Sequence, residues 1–185
     1  MKTPLDQACL NEPLTCDGAM GTQLIMRGMS PGECGMRWNA ERPDDIRAVH
    51  QDYRDAGCRL IITNSFGGTR SMLDRHGAGD MTAEWNRRAA EIAAEAAGPD
   101  GWVLGDVGPF GDFLEPMGDT TTGELEAIFR EQIEALAAGG ADAIVVETMS
   151  DPAELTVGLR VAKQATDLPV VATYAFQNSA GTFRT

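Results

Sequence analysis

The sequence is poor in basic residues, in cysteine and in long apolar runs, and each shortage excludes a class of protein. Fifteen lysines and arginines face 28 aspartates and glutamates across 185 residues, a formal net charge of −13. So acidic a chain has no electrostatic footprint for nucleic acid or for an anionic membrane surface. No apolar stretch approaches the roughly 18 residues that a membrane-crossing helix needs. The opening MKTPLDQACLNEP lacks the apolar core of a secretory signal. Cysteine is scarce, at positions 9, 16, 34 and 58, and no two of them form a C-x-x-C pair. That spacing argues against a closed structural zinc site and offers no disulfide framework. The expectation is a reducing, cytoplasmic setting, with no nucleic-acid and no membrane partner.

What is present reads as one globular domain. Hydrophobic residues make up 43% of the chain and charged residues 23%, a balance that suits a folded core and not disorder. Short apolar runs alternate with segments of helical period. The runs are Leu14–Cys16, Arg59–Phe66, Trp102–Gly108, Ala143–Thr148 and Pro169–Phe176. Between them, Pro43 at a helix start, Thr121 with Glu124 as a capping box, and Asp151-Pro152-x-Glu154 mark helix N-termini. Gly57, Gly98-Pro99 and Gly139-Gly140 mark the ends. Five strands and four intervening helices follow. The strands are apolar on both parities, as in a parallel sheet with both faces buried. The pattern alone fits an open doubly wound sheet and a β/α barrel equally well.

Parallel strands place all their C-terminal ends on one side, so polar residues there converge on one mouth. Asp17, Thr63, Asn64, Asp106, Glu147 and Thr148 hold such places. Glu147 follows the apolar Ile144-Val145-Val146, and a carboxylate there needs a partner or a cationic ligand. Asp17 opens the glycine-rich DGAMGT loop (residues 17–22), whose amides suit a carboxylate or a phosphate. Asp106, between Gly105 and Gly108, reads as the cap of a tight turn. His50 reads as a packed core residue and His76 as a solvated one. Cys16 and Cys58 read as small buried hydrophobes, and Cys34 as an exposed thiol. Trp38 and Phe66 suit either a pocket wall or the core.

Five segments carry a resemblance when taken together and in order: DGAMGT, PDDIRAVHQDYRDAG (43–57), IITNSFG (61–67), GDVGP (105–109) and VVET (145–148). They resemble the homocysteine S-methyltransferase family, from about Leu14 to Thr185. The resemblance implies an α/β fold, a parallel β/α barrel of the TIM type with about five of its eight units in this chain. Residues 1–13 would be an N-terminal extension and residues 14–185 the homocysteine-binding barrel domain, truncated at its C-terminus. It implies methyl transfer to the homocysteine thiol to give methionine, with homocysteine and a methyl donor as partners. Asp17 and Glu147 would bind the homocysteine ammonium, amides at Gly18 and Ala19 its carboxylate, and Phe66 would lie near the sulfur. Family members hold zinc on three cysteines, one after the sixth strand and two in a Gly-Gly-Cys-Cys motif. None of the four cysteines here matches, so the zinc that the family implies would lack its ligands. The donor stays open among methylcobalamin, a betaine and a sulfonium. The alternative is an inactive binding or interaction remnant of the barrel. Unpaired sheet edges would favour self-association.

Overall fold

The computed structural model describes residues 2–179 and 182–184. In chain order these form α1 (Leu5–Asn11), α2 (Met20–Met26), α3 (Trp38–Glu41), α4 (Pro43–Asp55), β1 (Leu60–Ile62), α5 (Arg70–Asp74), α6 (Thr82–Ala97), β2 (Trp102–Val107), α7 (Thr122–Ala138), β3 (Ala143–Met149), α8 (Pro152–Ala165) and β4 (Val170–Tyr174), then a hairpin of β5 (Gln177–Ser179) and β6 (Thr182–Arg184).

The long helices start and stop on the signals in the sequence. Pro43 occupies the first turn of α4. At its end Gly57 takes a φ of +98°, Cys58 N–H donates to the Tyr53 carbonyl at 3.0 Å, and Gly57 N–H to that of Arg54 at 2.9 Å. That is a Schellman closure, which the missing Cβ permits. Thr121 and Glu124 form both halves of the capping box on α7. The Asp151 side chain accepts from Ala153 N–H at the start of α8.

The four strands pair in parallel in the order β1-β2-β3-β4, each beside its neighbour in sequence. A doubly wound sheet reverses its order at a switch point, and this one does not. The fold is therefore the partial barrel. A single bridge, Cys16 to Leu60, continues the sheet beyond β1. Leu60, Ile62, Trp102, Leu104, Ala143 and Val145 face the barrel interior, where Leu5 and Ala8 of α1 join them. On the other face Ile61 and Val103 pack with Ala93 and Ala97 of α6, and Ile144 and Val146 pack with α7 and α8.

Three features depart from the sequence reading, and the helix within residues 1–13 adds to it. The first strand is only the one-residue bridge at Cys16. The DGAMGT loop is shorter than expected, because α2 begins at Met20. Residues 1–13 include α1, which closes the barrel floor. Trp102 Nε1 donates to the Thr3 carbonyl at 2.9 Å, and Lys2 Nζ to Asp142 at 2.6 Å, fixing that segment from below. Finally, β4 is not buried on both faces, since Val171 is 40% exposed on this edge strand.

Candidate functional site

A cavity of about 650 Å³ opens at the C-terminal ends of β1, β2 and β3. The alternation along the strands builds it. Trp102, Leu104 and Asp106 share one face of β2, and Ala143, Val145 and Glu147 share the same face of β3. Asp106 pairs with Val145 in the register. The lower layers are therefore apolar and the top layer is acidic. Asp17 joins it from the first segment, its Oδ2 accepting from Ile62 N–H at 2.9 Å. All five residues singled out as a binding set (Asp17, Gly18, Ala19, Phe66 and Glu147) line this cavity, together with Asp106.

The electrostatics are those of crowded acids in a dry place. Burial pushes the Asp17 carboxyl up to about 7, against the hydrogen bond from Ile62 and with a smaller contribution from Glu147. Burial also raises Glu147, while the neighbouring Asp106 opposes that rise. Asp106 is only 2% exposed and its Oδ1 receives no hydrogen bond. Burial first, then the Glu147 charge, hold it well above the usual carboxylate range. Asp106 is therefore not the cap of a turn, as the flanking glycines suggest, but an interior acid near the end of β2.

Glu147 is presented by a strained piece of backbone. The β3–β4 register shifts between Val146 and Met149, and Thr148 has a φ of +58°. A β-branched residue in the left-handed region costs about 1–3 kcal/mol and persists only where its surroundings hold it. Here Thr148 N–H donates to Thr173 Oγ1 at 2.9 Å. Such a shift re-aims the side chain next to it.

Phe66 lies on the loop after β1, half exposed at the mouth. Buried polar side chains hold this loop. Ser65 Oγ donates to the Asp106 carbonyl at 2.7 Å, and Thr63 Oγ1 accepts from Asp106 N–H at 2.9 Å. Thr63 must then give its own proton to Ser65 Oγ, 2.6 Å away. Gln132 of α7 donates from Nε2 to the Ser65 carbonyl at 2.8 Å and to Asn86 Oδ1 at 3.1 Å. Asn39 Nδ2 donates to the Asn64 carbonyl at 2.9 Å. Thr63 and Asn64 stood out in the sequence, whereas Asn39, Asn86 and Gln132 did not. Their signal is a polar residue on an apolar helix stripe, as Gln132 is between Phe129, Ile133 and Leu136.

On the opposite wall Tyr53 Oη donates to the Ala19 carbonyl at 2.9 Å, tying α4 to the segment of Gly18 and Ala19. Trp38 belongs to the core, with Nε1 donating to Glu33 at 2.7 Å. His50 is packed as expected, and burial pulls it down to about 4. His76 is exposed at the cavity rim. Two cysteines differ from expectation. Cys16 is exposed because a single bridge gives it little cover, while Cys34 is buried against Met36, Leu73 and Trp85. Cys58 is buried as expected. Although Cys16 as a whole is exposed, its sulfur is half-buried, and that burial first and the adjacent Asp17 second push its thiol up to about 12. Among the described residues, no group of three or more His, Cys, Asp or Glu side chains could hold a metal ion. The residues present do not fit the zinc that the resemblance implies.

A family model for homocysteine S-methyltransferases matches residues 14–185. The chain belongs to the homocysteine S-methyltransferase family. It is 33% identical over 163 residues to a homocysteine S-methyltransferase of Escherichia coli, covering 77% of this chain and 52% of that protein. It is 32% identical over 161 residues to the methionine synthase of Mycobacterium tuberculosis, covering 80% of this chain and 13% of that protein. The metallated form of the homocysteine methyltransferase MmuM from E. coli superposes with a TM-score of 0.77 at 25% identity, covering 91% of this chain and 65% of that one. The chain thus spans about half the length of that curated methyltransferase and a small part of the methionine synthase. The barrel fold of this structural relative agrees with the strand order described above.

Proposed function

We propose that this chain carries the amino-acid-recognition part of a homocysteine S-methyltransferase. In this reading the ammonium of homocysteine sits between Asp17 and Glu147. Its carboxylate meets backbone amides at Gly18 and Ala19, and its thiol points toward Phe66 and the open mouth. The observation that carries the reading is the convergence of two carboxylates and the Gly18–Ala19 backbone on one cavity in a member of this family. A cavity of about 650 Å³ exceeds what one small amino acid fills, so a methyl donor can share it. The reaction moves one methyl group: the thiol loses its proton, a sulfur–carbon bond forms, and the donor keeps the electron pair of the bond that breaks. The residues here bind and orient. Asp17 and Glu147 raise the pKa of a nearby thiol, and Asp106 offers it no positive charge, so none of them activates it. The donor is open among methylcobalamin, a betaine and a sulfonium. An acidic chain with four free cysteines suits a reducing, cytoplasmic setting.

Calorimetric titration tests this. The chain should bind L-homocysteine and discriminate against 4-mercaptobutanoate, which lacks only the amine. Glu147→Gln keeps the shape and removes the charge, and should weaken homocysteine binding by about 1.5–3 kcal/mol, the range for a charged hydrogen bond. Equal affinity for the two thiols, or no binding of either, would overturn the reading.

A further inference from the structure

Asp106 lines the site without a ligand assigned to it, and its surroundings are unusual. It sits at the end of β2, 2% exposed, one layer above Leu104 and beside Glu147 on the neighbouring strand. Its backbone is fully engaged, the N–H with Thr63 Oγ1 and the carbonyl with Ser65 Oγ and Gln132 Nε2. Its side chain is not, since Oδ1 finds no donor. The other titratable groups that line the cavity are Asp17, Glu33, Cys34, His76 and Glu147, and none is a lysine or arginine. Nothing in the lining supplies a strong cation to balance a buried carboxylate.

Asp106 and Glu147 line one cavity from neighbouring strands, and a buried carboxyl with no cation beside it stays neutral, with an O–H that needs an acceptor. Two ionised carboxylates cannot bond to each other, because both only accept. One must carry a proton, and the more deeply buried acid keeps it at lower cost. We propose that Asp106 is a positioning residue of this site, a neutral carboxylic acid that donates to Glu147 and holds that carboxylate toward the ligand's amine. This rests on the amine-binding reading given above. The geometry explains why the arrangement is needed. Glu147 stands on an irregular stretch of β3, beside the left-handed Thr148, where the ladder is broken. Backbone that departs from the ladder does not by itself fix a long side chain. A donor from the adjacent strand does, and a protonated aspartate adds no second negative charge beside the first. Glu147 then faces the cavity with its remaining lone pairs free for a cation.

The inference concerns the ligand-free protein as well as the complex, so it is tested in both. Carbon-detected NMR of the carboxyl groups in the full chain should show Asp106 still protonated at pH 7. Glu147→Gln should lower its midpoint, since the neighbouring negative charge is gone and only a weaker, neutral acceptor is left. An ordinary carboxylate midpoint, or one that Glu147→Gln leaves unmoved, overturns the inference whatever binds. In calorimetry, Asp106→Ala should weaken L-homocysteine binding about tenfold, while Asp106→Asn, which still donates, should lose no more than about threefold. A loss in Asp106→Asn as large as in Asp106→Ala would mean that the acid itself, and not a hydrogen bond it donates, serves the ligand, against the inference. Absence of homocysteine binding by the unmutated chain, with Asp106 still titrating high and responding to Glu147→Gln, would sink the substrate reading and leave the Asp106–Glu147 coupling standing.

Discussion

Gly108 lies directly against Phe66: a methyl group at position 108 would stand 2.6 Å from the Phe66 carbonyl oxygen and 2.8 Å from its ring. No conformational freedom is in play, because Gly108 is not among the residues of positive φ. The glycine is there for close approach, and it lets the loop after β1 fold over the end of β2. Gly108→Ala should therefore cost about 1–3 kcal/mol of stability, the usual range for overpacking. It should also weaken homocysteine binding by displacing Phe66. Phe66→Ala in the same chain should recover part of the stability loss, because the ring is one of the two obstacles. Denaturant unfolding of the single and double variants checks this, and strict additivity would show that the two residues do not press on each other.

Gln132 ties α7 to the site through three acceptors: the Ser65 carbonyl, the Asp106 carbonyl and Asn86 Oδ1. Gln132→Leu preserves most of the volume and removes the donor. It should destabilise the chain by about 1–3 kcal/mol, because Asn86 Oδ1 and the two carbonyls lose a buried partner. The measurement is the urea midpoint at constant slope. A loss under half a kcal/mol, on the order of a surface change, would mean that water replaces the amide.

The parts of the fold most legible in the sequence were those fixed by local chemistry. The caps at Pro43, Thr121 and Asp151 act within one turn, and the strands of β2 and β3 are long enough to show their period. The carboxylates Asp17 and Glu147 were legible because a charge at the end of an apolar strand must find a partner. Asp106 was misread because Gly105 and Gly108 look like a turn. They serve packing instead, since a Cβ on Gly105 would lie 3.1 Å from both Ile144 and Leu136. Gln132, Asn86 and Asn39 reach the site only through tertiary contacts, and spacing along the chain does not report those. Residues 20–26 were hidden by two adjacent glycine signals, although they form a helix once Leu24 packs beside Trp38 and Ile46.

Asp17 gives the chain a pH dependence of definite sign. Its carboxyl, near 3.9 when unfolded, is pushed up to about 7 by burial in the fold. Between those values the folded state holds a proton that the unfolded chain has released. Its contribution to stability therefore falls as pH rises from about 4 to about 7, and stays low above that. Asp17→Asn keeps an acceptor for Ile62 N–H and has no proton to lose. The stability of the variant relative to the unmutated chain should be higher at pH 8 than at pH 5. His50, pulled down to about 4 by burial, acts in the opposite sense below pH 6.5 or so, but equally in both proteins. A difference that does not grow with pH would show that Asp17 is already ionised at pH 5.

The edge strand β4 should make the isolated chain self-associate. It pairs with β3 on one side, and Val170–Tyr174 carries no charge. Such an edge offers free backbone groups to a second copy. Val171 is 40% exposed, so Val171→Lys places a charge on that edge without opening the core. Sizing with light scattering should show concentration-dependent oligomers that shift toward monomer in the variant. A monomeric unmutated chain at every concentration would contradict the role of this edge.

The last prediction concerns the thiol. A homocysteine-like thiol has a pKa near 8.5, so about 3% is thiolate at pH 7. Making thiolate the major form needs a drop of about two units, or roughly 3 kcal/mol of stabilisation for the anion. The groups around the cavity work the other way. Asp17 and Glu147 are acids, Asp106 beside them carries no positive charge, and no lysine or arginine lines the wall to offset them. Nor do the cysteines here offer a metal an easy ligand. A metal binds thiolate, and Cys16 is pushed up to about 12 by burial and by Asp17. Cys58 is raised by burial first and by Asp17 second. The 185-residue chain on its own should therefore retain no stoichiometric zinc after loading and desalting. It should form no methionine from homocysteine with methylcobalamin, betaine or S-methylmethionine, even while it binds homocysteine. Metal analysis and a methionine assay with each donor are the measurements. One zinc per chain, or turnover that Cys16→Ala or Cys58→Ala abolishes, would place the thiol chemistry on residues that these electrostatics disfavour.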